Sequence, residues 1–198
     1  MKTVAILILA AGVARRMRGV DKLLEPVGGQ PLLRHLALQA VATGASVLVT
    51  LPPEATLRRD ALSGLPLTVV EVPDASAGMS ASLRAGVLAV DPGAGALLVL
   101  LADMPEIDRS DLCAMIDAHV LAGGATVVRA MNAAGTPGHP VLFPRHMFAA
   151  LGSLTGDQGA RDLLKRTAVR LIELPGDHAT TDLDTPEAWA SWRNKAGG

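Results

Sequence analysis

The stretch VAILILAAGVARRMRGVDK, residues 4–22, decides the fold, because a short apolar run leads directly into a basic loop that contains glycine. Residues 4–9 are rich in β-branched side chains and predict a buried β-strand, and Gly12 supplies a turn signal after it. Similar apolar runs recur along the chain and alternate with segments of helical periodicity. This alternation is typical of βα units and predicts a sheet covered by helices.

The same patterns predict the remaining elements. Because the strands are uniformly apolar, both of their faces are expected to be buried, as in a parallel sheet. The predicted strands cover residues 4–9, 46–51, 67–72, 96–101, 125–130, 141–143 and 169–174, and the predicted helices cover 31–42, 55–62, 80–90, 109–121, 145–151, 157–167 and 186–195. Residues 132–140, rich in glycine and proline, are predicted to form a loop.

These elements predict an α/β fold: a Rossmann-like, three-layer α/β/α sandwich with a mostly parallel mixed sheet. No linker, repeat or low-complexity tract divides the chain, so residues 1–198 are predicted to form one domain. Folds of this kind bind ligands at the carboxyl ends of their strands. The loops after the strands are therefore where functional residues are expected.

The composition excludes several classes of function. The chain has two Trp, two Phe and no Tyr, and its net charge is −1, so it lacks the stacking rings and basic groove of proteins that bind single-stranded nucleic acid. Its longest apolar run, residues 4–14, is shorter than the about 20 residues of a membrane span and is not arranged as a signal peptide. With a single cysteine, Cys113, it has no intramolecular disulfide. A cytoplasmic protein that binds neither nucleic acid nor membrane is expected.

The loop after the first strand is a candidate phosphate-binding loop. Gly12 and Gly19 allow backbone amides to approach an anion, and positive charge surrounds them. These cations are Arg15, Arg16, Arg18 and Lys22. The loop carries neither the G-x-G-x-x-G fingerprint of dinucleotide sites nor a Walker A motif. On the residues alone, a phosphate-binding loop and a solvated basic loop are both open.

Two acidic positions are candidate metal ligands. Asp103, in LADMPEI, follows the most apolar predicted strand, where a carboxylate is costly without a partner, and Mg²⁺ is the natural partner in phosphoryl chemistry. A turn or capping residue ahead of Pro105 is the alternative. The segment DLDTPE, residues 182–187, is by itself an ordinary helix start.

Together these segments resemble a known family. Residues 9–24 are similar to the signature loop, L-A-[AG]-G followed by R-M-G and a lysine, of nucleotidyltransferases with the glycosyltransferase-A-like, nucleotide-diphospho-sugar transferase type of fold. Arg18 departs from this pattern, since it stands between Met17 and Gly19. Relatives also carry an L-x-D-M-P motif and a late D-x-D-T-P-E motif. GMSASLRAG (78–86), TPGHPVLFPR (136–145) and GDQGARDLL (156–164) resemble the molybdenum cofactor cytidylyltransferases of the MobA-like nucleotidyltransferase family.

The resemblance, which covers nearly the whole chain, implies an activity and a set of site residues. It implies transfer of CMP from CTP to the phosphate of molybdopterin, with release of pyrophosphate. Mg²⁺ would be held by Asp103 and Asp184, with Asp182 as the alternate for Asp184. Arg16 and Lys22 would be catalytic, since they neutralise the triphosphate. The expected nucleotide-binding residues are Ala10, Ala11, Gly12, Arg16, Lys22, Gly78, Ser80 and Ser82.

The acceptor side carries weaker signals and open alternatives. His139, in the predicted loop, and Arg161 are expected to bind the acceptor, although a loop histidine is also often just solvated; Ser80 is equally suited to capping a helix. Guanylyl transfer from GTP stays open, because GVDK at residues 19–22 resembles guanylyl enzymes. Two further alternatives stay open: CTP transfer to another phosphorylated small molecule, and non-catalytic delivery of finished cofactor to a molybdoenzyme. The presence of Arg16, Lys22 and Asp103 together favours catalysis.

Overall fold

The computed structural model describes residues 3–12, 17, 19–156 and 159–196, and its strands and helices alternate as the sequence predicts. The strands are β1 (Val4–Leu9), β2 (Pro26–Val27), β3 (Gln30–Pro31), β4 (Ser46–Leu51), β5 (Thr68–Glu71), β6 (Ala96–Leu101), β7 (Val127–Met131), β8 (Pro137–Pro144) and β9 (Val169–Glu173). The helices are α1 (Leu32–Val41), α2 (Thr56–Ala61), α3 (Met79–Ala89), α4 (Arg109–Leu121), α5 (Phe148–Gly152), α6 (Gly159–Lys165) and α7 (Pro186–Ala196). A 3₁₀ turn covers Lys22–Leu24.

The main sheet has the strand order β5-β4-β1-β6-β8-β7-β9, and β2 and β3 form a separate small hairpin. The pairs β1–β4, β1–β6, β4–β5 and β7–β9 are parallel. Strand β8 runs antiparallel to both of its neighbours, β6 and β7. The mostly parallel mixed sheet predicted from the sequence is therefore confirmed, and the carboxyl ends of β1, β4, β5 and β6 share one edge.

The sheet separates two apolar layers. Ile6 and Ile8 of β1 face a core that includes residues of α1, α4 and α7, whereas Ala5 and Leu7 face a second core with α3 and α5. Helix α3 packs so closely on β1 that a Cβ on Gly86 would lie 2.3 Å from Leu7 Cδ2. Among the helices of the described residues, none has the length and apolar character needed to cross a bilayer.

Strand β8 is longer than the sequence predicts, and this corrects the placement of His139. Residues 137–140, predicted as loop, belong to β8, so His139 lies in a strand and is half-buried. The reason is that β8 continues to pair with β7 as far as Met131–Pro137. The register between β6 and β8 ends earlier, at the pair Val99–Val141. Pro140 and Pro137 lie beyond that pair and need not donate to β6, so the prolines interrupt no hydrogen bond between these strands.

Candidate active site

Lys22 joins the two acidic segments at the carboxyl edge of the sheet. Its Nζ donates to Asp103 Oδ2 at 2.6 Å and to Asp184 Oδ1 at 2.5 Å. Asp103 lies two residues beyond β6, and Asp184 lies two residues before α7. The structure thus brings together three of the predicted site residues, although Lys22 is 81 residues from Asp103 and 162 from Asp184 in the sequence.

The charges of this cluster shift the pKa values of Lys22 and Asp182 upward for opposite reasons, attraction and repulsion. Burial by itself would lower the pKa of Lys22, but the attraction of Asp103 and Asp184 outweighs it and raises that pKa above its ordinary value. The ammonium is therefore firmly charged at neutral pH. The pKa of nearby Asp182 is raised by its burial and by repulsion from Asp103 and Asp184. Two carboxylates therefore bind the Lys22 ammonium, and a third, that of Asp182, is close enough to feel its charge.

The carboxylates fit a divalent metal ion. Oδ1 of Asp103 is buried and has no hydrogen-bond partner in the described part of the chain, while Oδ2 binds Lys22. Such an unsatisfied carboxylate oxygen suits Mg²⁺ or Mn²⁺, which prefer oxygen ligands and keep several waters. No group of three or more His, Cys, Asp or Glu side chains among the described residues is arranged to hold a metal. A divalent metal ion would therefore be held by Asp103 together with Asp184 or Asp182. Water and substrate phosphate would complete its coordination.

The segment that carries Asp182 and Asp184 is tethered to the loop after β6. The N–H of Leu183 donates to the carbonyl of Asp103 at 3.3 Å. Glu106 accepts from Thr181 Oγ1 at 2.8 Å through one carboxylate oxygen and from Trp192 Nε1 at 3.1 Å through the other. Glu106 thereby connects this segment to helix α7.

Gly138 allows the same segment to approach strand β8. A Cβ at Gly138 would lie 1.8 Å from the carbonyl oxygen of Ala179. That oxygen accepts a hydrogen bond from the N–H of His139 at 2.9 Å. Only glycine permits this contact, so Gly138 helps to set the position of the acidic segment.

Arg58 fixes both ends of the basic loop and was missed by the sequence analysis. Its Nη1 donates to the carbonyls of Ala10 (2.6 Å) and Gly12 (3.0 Å), while its Nε and Nη2 bind the two oxygens of Asp21 at 2.6 and 3.0 Å. The side chain is nearly buried, with 9% exposed. Because Asp21 immediately precedes Lys22, the guanidinium positions the catalytic candidate as well as the loop.

A cavity of about 520 Å³ opens beside this loop. Six of the predicted site residues line it: Ala10, Gly12, Lys22, Gly78, Ser82 and Asp103. Its wall also includes Ser76, in the turn that leads to α3. The cavity therefore joins the basic loop, the first turns of α3 and the acidic cluster.

Two of the expected nucleotide-binding residues, Ala11 and Ser80, are absent from the wall of that cavity. Ala11 and Ser80 are buried, with 1% and 2% of their surfaces exposed. Ser80 accepts a hydrogen bond from Arg84 at 3.4 Å, and Gly78 rather than Ser80 is the N-cap of α3. Arg16 lies outside the described residues.

A second cavity, of about 380 Å³, lies beside the first and shares Met79 and Leu101 with it. The two expected acceptor-binding residues, His139 and Arg161, line this cavity together with Asp182 and others. Nδ1 of His139 is buried without a partner in the described chain. Burial, together with the positive charge of Arg129, lowers the pKa of His139 to about 4. Asp103 and the carbonyl of Val99 raise this pKa, but by less.

The chain is similar in sequence and in fold to several known proteins. Bifunctional protein GlmU of Kineococcus radiotolerans is 32% identical over 128 residues, which are 63% of this chain and 26% of GlmU, so the chain spans about a quarter of that relative. The crystal structure of the Rv0371c homologue from Mycobacterium sp. strain JC1 has a TM-score of 0.85 and 31% identity, with 98% of this chain and 96% of that one covered. Rv0371c of Mycobacterium tuberculosis H37Rv, crystallised with manganese, has a TM-score of 0.75 and 28% identity, with 96% and 97% covered.

A family profile extends over most of the chain. The profile of the MobA-like NTP transferase domain matches residues 6–171. This range contains most of strand β1, the loop that carries Lys22, the residues of α3 that line the two cavities, and Asp103 just after β6. The chain therefore belongs to the MobA-like NTP transferase domain family.

Proposed function

We propose that this chain is a Mg²⁺-dependent nucleotidyltransferase that transfers CMP from CTP to the phosphate of molybdopterin. The observation that carries the proposal is the Lys22 ammonium between Asp103 and Asp184, at the wall of the 520 Å³ cavity. A cation next to carboxylates that fit a divalent metal suits the triphosphate of a nucleotide. Membership of the family supports a nucleoside triphosphate, and the resemblance in the sequence motifs supports cytidine and molybdopterin.

The proposed reaction is an in-line substitution at phosphorus. An oxygen of the acceptor phosphate attacks the α-phosphorus of CTP, and a new P–O bond forms. The bond between the α-phosphorus and the oxygen that bridges to the β-phosphorus breaks, and pyrophosphate leaves with the electron pair. Since the acceptor phosphate is already anionic, no residue of this chain has to act as a general base.

The residues of the cluster have separate roles in this reaction. Lys22 faces the α-phosphate and balances the charge that develops on the leaving pyrophosphate. Its raised pKa keeps the ammonium protonated during the reaction. Asp103 and Asp184 would hold the Mg²⁺ ion, which supplies Lewis-acid stabilisation of the phosphate oxygens when bound.

The two cavities suit the two substrates. The first, beside the basic loop, would take CTP, and the second, which shares Met79 and Leu101 with it, would take the acceptor. Asp103 lines the first cavity and Asp182 the second, so the reacting phosphates would meet between these carboxylates. This arrangement would allow the nucleotide and the acceptor to bind in adjoining cavities.

Recognition of the base would depend on backbone groups and small side chains. No aromatic side chain of the described residues lines the first cavity. The N–H of Ala10 donates to Thr50, and its carbonyl accepts from Arg58, so its polar backbone groups are occupied. Contacts to the base would then fall to Gly12, Ser76 and Ser82, which line the same cavity.

The test is turnover with a panel of substrates. The protein is incubated with Mg²⁺, molybdopterin and either CTP or GTP; pyrophosphate is measured and the dinucleotide identified by mass spectrometry. We expect turnover with CTP, and a loss of at least about 100-fold in Asp103→Asn. Asp117→Asn, an exposed aspartate on α4, is the matched control and should retain activity.

Each alternative predicts a different result in the same assay. Pyrophosphate release with GTP alone would indicate guanylyl transfer. Turnover with CTP and a sugar or polyol phosphate, but not with molybdopterin, would assign another acceptor. Tight binding of the finished dinucleotide that survives Asp103→Asn, without turnover of either nucleotide, would indicate cofactor delivery.

A further inference from the structure

We propose that the second cavity contains a subsite for a second anionic group of the acceptor, bound by Arg129 and Arg161 and distinct from the phosphate that is attacked. The inference rests on the proposed function, because it assumes that the acceptor occupies this cavity. It narrows the acceptor to a phosphomonoester whose body carries another anion. Sugar and polyol phosphates with an otherwise neutral body would not satisfy both arginines.

Arg129 is the first observation. It interrupts the apolar strand β7 (VVRAM) and is half-buried where its side chain reaches the cavity. Its Nε donates to the carbonyl of Gly138 at 2.9 Å and its Nη2 to that of Pro137 at 3.3 Å. These neutral carbonyls fix the guanidinium without neutralising it. Because burial of a charge without a counterion is costly, a cation held in this way is suited to an anionic ligand.

Arg161, on helix α6, presents a second cation to the same cavity. Its side chain is exposed, and no carboxylate in the described ranges forms an ion pair with it or with Arg129. Burial and the charge of Arg161 both lower the pKa of Arg129, so the two guanidiniums are close enough to repel each other. An anion bound by both would replace that repulsion with attraction.

The arginine pair is separate from the carboxylate cluster where transfer would occur. The first cavity is lined by Lys22 and Asp103 and by neither arginine, whereas both arginines line the second. His139 and Asp182 line the second cavity as well. An acceptor phosphate next to the carboxylates and a second anion at the arginines would therefore occupy different parts of the acceptor cavity.

The surface between these groups suits an uncharged ring or chain. Apolar residues that line the cavity include Met79, Leu83, Val99, Leu101, Val141 and Phe143. Burying an apolar body against them is favourable, at about 25 cal/mol for each Å² removed from water. The cavity thus combines a cationic end, an apolar wall and an end next to the acidic cluster.

The first arm of the test is anion binding without the acceptor. Sulfate is titrated into the full chain by calorimetry, in the presence of a non-hydrolysable CTP analogue and Mg²⁺ that occupy the first cavity. We expect Arg129→Gln and Arg161→Gln each to weaken sulfate binding at least about 10-fold, as loss of a charge-assisted hydrogen bond does. Arg166→Gln, an exposed arginine just after α6, is the control and should bind sulfate like the wild type.

The second arm is kinetic. Each of the two variants should raise the acceptor KM at least about 10-fold while the KM for CTP stays unchanged. Because Arg161 is exposed, Arg161→Gln is expected to fold even if Arg129→Gln does not. The inference would be overturned if Arg161→Gln had the sulfate affinity and the acceptor KM of the wild type. The same result is required of Arg129→Gln, provided that this variant folds.

The two proposals can fail separately. If Asp103→Asn abolishes transfer while both arginine variants behave like the wild type, the anion subsite is wrong and the transferase function stands. If the wild-type protein transfers no nucleotide but binds sulfate through both arginines, the proposed function is wrong. In that case the residues would still form an anion site, but not one for an acceptor.

Discussion

Arg58 and Asp21 form an ion pair with two hydrogen bonds, Nε to Oδ2 at 2.6 Å and Nη2 to Oδ1 at 3.0 Å. The remaining Nη1 of Arg58 holds the carbonyls of Ala10 and Gly12, at the other end of the basic loop. One guanidinium on α2 therefore ties together the two ends of the loop that precedes Lys22. The geometry of the basic loop thus depends on a residue that lines neither cavity.

Arg58→Met should destabilise the protein and impair nucleotide binding. Breaking this nearly buried pair is expected to reduce the free energy of unfolding by about 3 kcal/mol, because Asp21 and two carbonyls lose their partner. Arg58→Lys, which cannot form the paired hydrogen bonds, should be intermediate. Urea denaturation measures the stability, and the KM for CTP is expected to rise about 10-fold, which is a loss of about 1.4 kcal/mol in binding.

Arg59→Met provides the matched control. Arg59 is the next residue on α2 and pairs with Glu71, but 42% and 56% of these side chains are exposed. An exposed pair contributes about 0–1 kcal/mol. Equal losses in Arg58→Met and Arg59→Met would contradict the role assigned to Arg58.

Lys22→Met should make the stability of the protein depend on divalent metal. Without the ammonium, Asp103 and Asp184 repel each other, so the Tm in a chelating buffer should fall below that of the wild type. Mn²⁺ or Mg²⁺ should then raise the Tm of the variant more than that of the wild type, because a cation again lies between the carboxylates. Transfer activity should stay at least about 100-fold lower even with metal, since Lys22 no longer faces the phosphate.

Lys165→Met controls for loss of a lysine. Lys165 pairs with Asp162 on α6, and both side chains are mostly exposed. Its Tm should respond to metal as that of the wild type does, as measured by differential scanning fluorimetry. An equal response in wild type and Lys22→Met would show that Lys22 and the metal do not share these carboxylates.

Gly138→Ala should displace the acidic segment. The new methyl group would have to fit where the carbonyl oxygen of Ala179 lies at 1.8 Å, so the backbone around Ala179 must move. A loss of about 1–3 kcal/mol in the free energy of unfolding is expected from overpacking, together with a fall in kcat as Asp184 moves away from Lys22.

Gly152→Ala is the corresponding control. Gly152 ends α5, and a Cβ there would approach nothing more closely than Val87 Cγ1 at 3.9 Å. Alanine favours the helix by up to about 1 kcal/mol, so this variant should be neutral or slightly more stable. Full activity and stability in Gly138→Ala would refute the role given to the close approach of Ala179.

His139 should make the protein less stable at mildly acidic pH. Its pKa in the folded chain is about 4, below the ordinary value of 6.5. Between these values the unfolded chain binds a proton that the folded chain does not, so the free energy of unfolding falls as the pH drops from about 6.5 to about 4. The loss from this group is at most about 3 kcal/mol.

The pH dependence can be assigned by substitution. His139→Gln should reduce the difference in stability between neutral pH and about pH 4.5, measured by urea denaturation, whereas His146→Gln, at an exposed position, should leave it unchanged. If wild type and His139→Gln lose stability in parallel, the imidazole is not held neutral by its surroundings.

The elements with simple patterns were predictable from the sequence. Strands Val4–Leu9 and Ala96–Leu101 and helix Arg109–Leu121 have the predicted bounds, because their apolar runs or helical periodicity are uninterrupted and bounded by turn signals. The start of strand β8 was not predictable, because its first residues, PGHP, combine two prolines with a glycine. Those residues are tolerated only because the pairing with β6 has already ended there, which is information that no local pattern contains.

The candidate site was predictable to a similar extent. Lys22, Asp103 and Asp184 belong to motifs, and the structure brings their side chains together. Arg58 and Arg129 belong to no motif. Arg58 lies next to Arg59 in α2, and the sequence gives no reason to expect that one of these two arginines is buried and the other exposed. Arg129 did offer a signal, a charge inside an otherwise apolar strand, but its cavity is formed by β8, α6 and the tethered segment, which come together only in three dimensions.

The separation of Lys22, Asp103 and Asp184 along the chain has a consequence during protein synthesis. A ribosome makes Lys22 162 residues before Asp184, so a nascent chain holds the basic loop and Asp103 long before the second carboxylate emerges. The cluster cannot close on such a chain, which is therefore expected to bind nucleotide without transferring it.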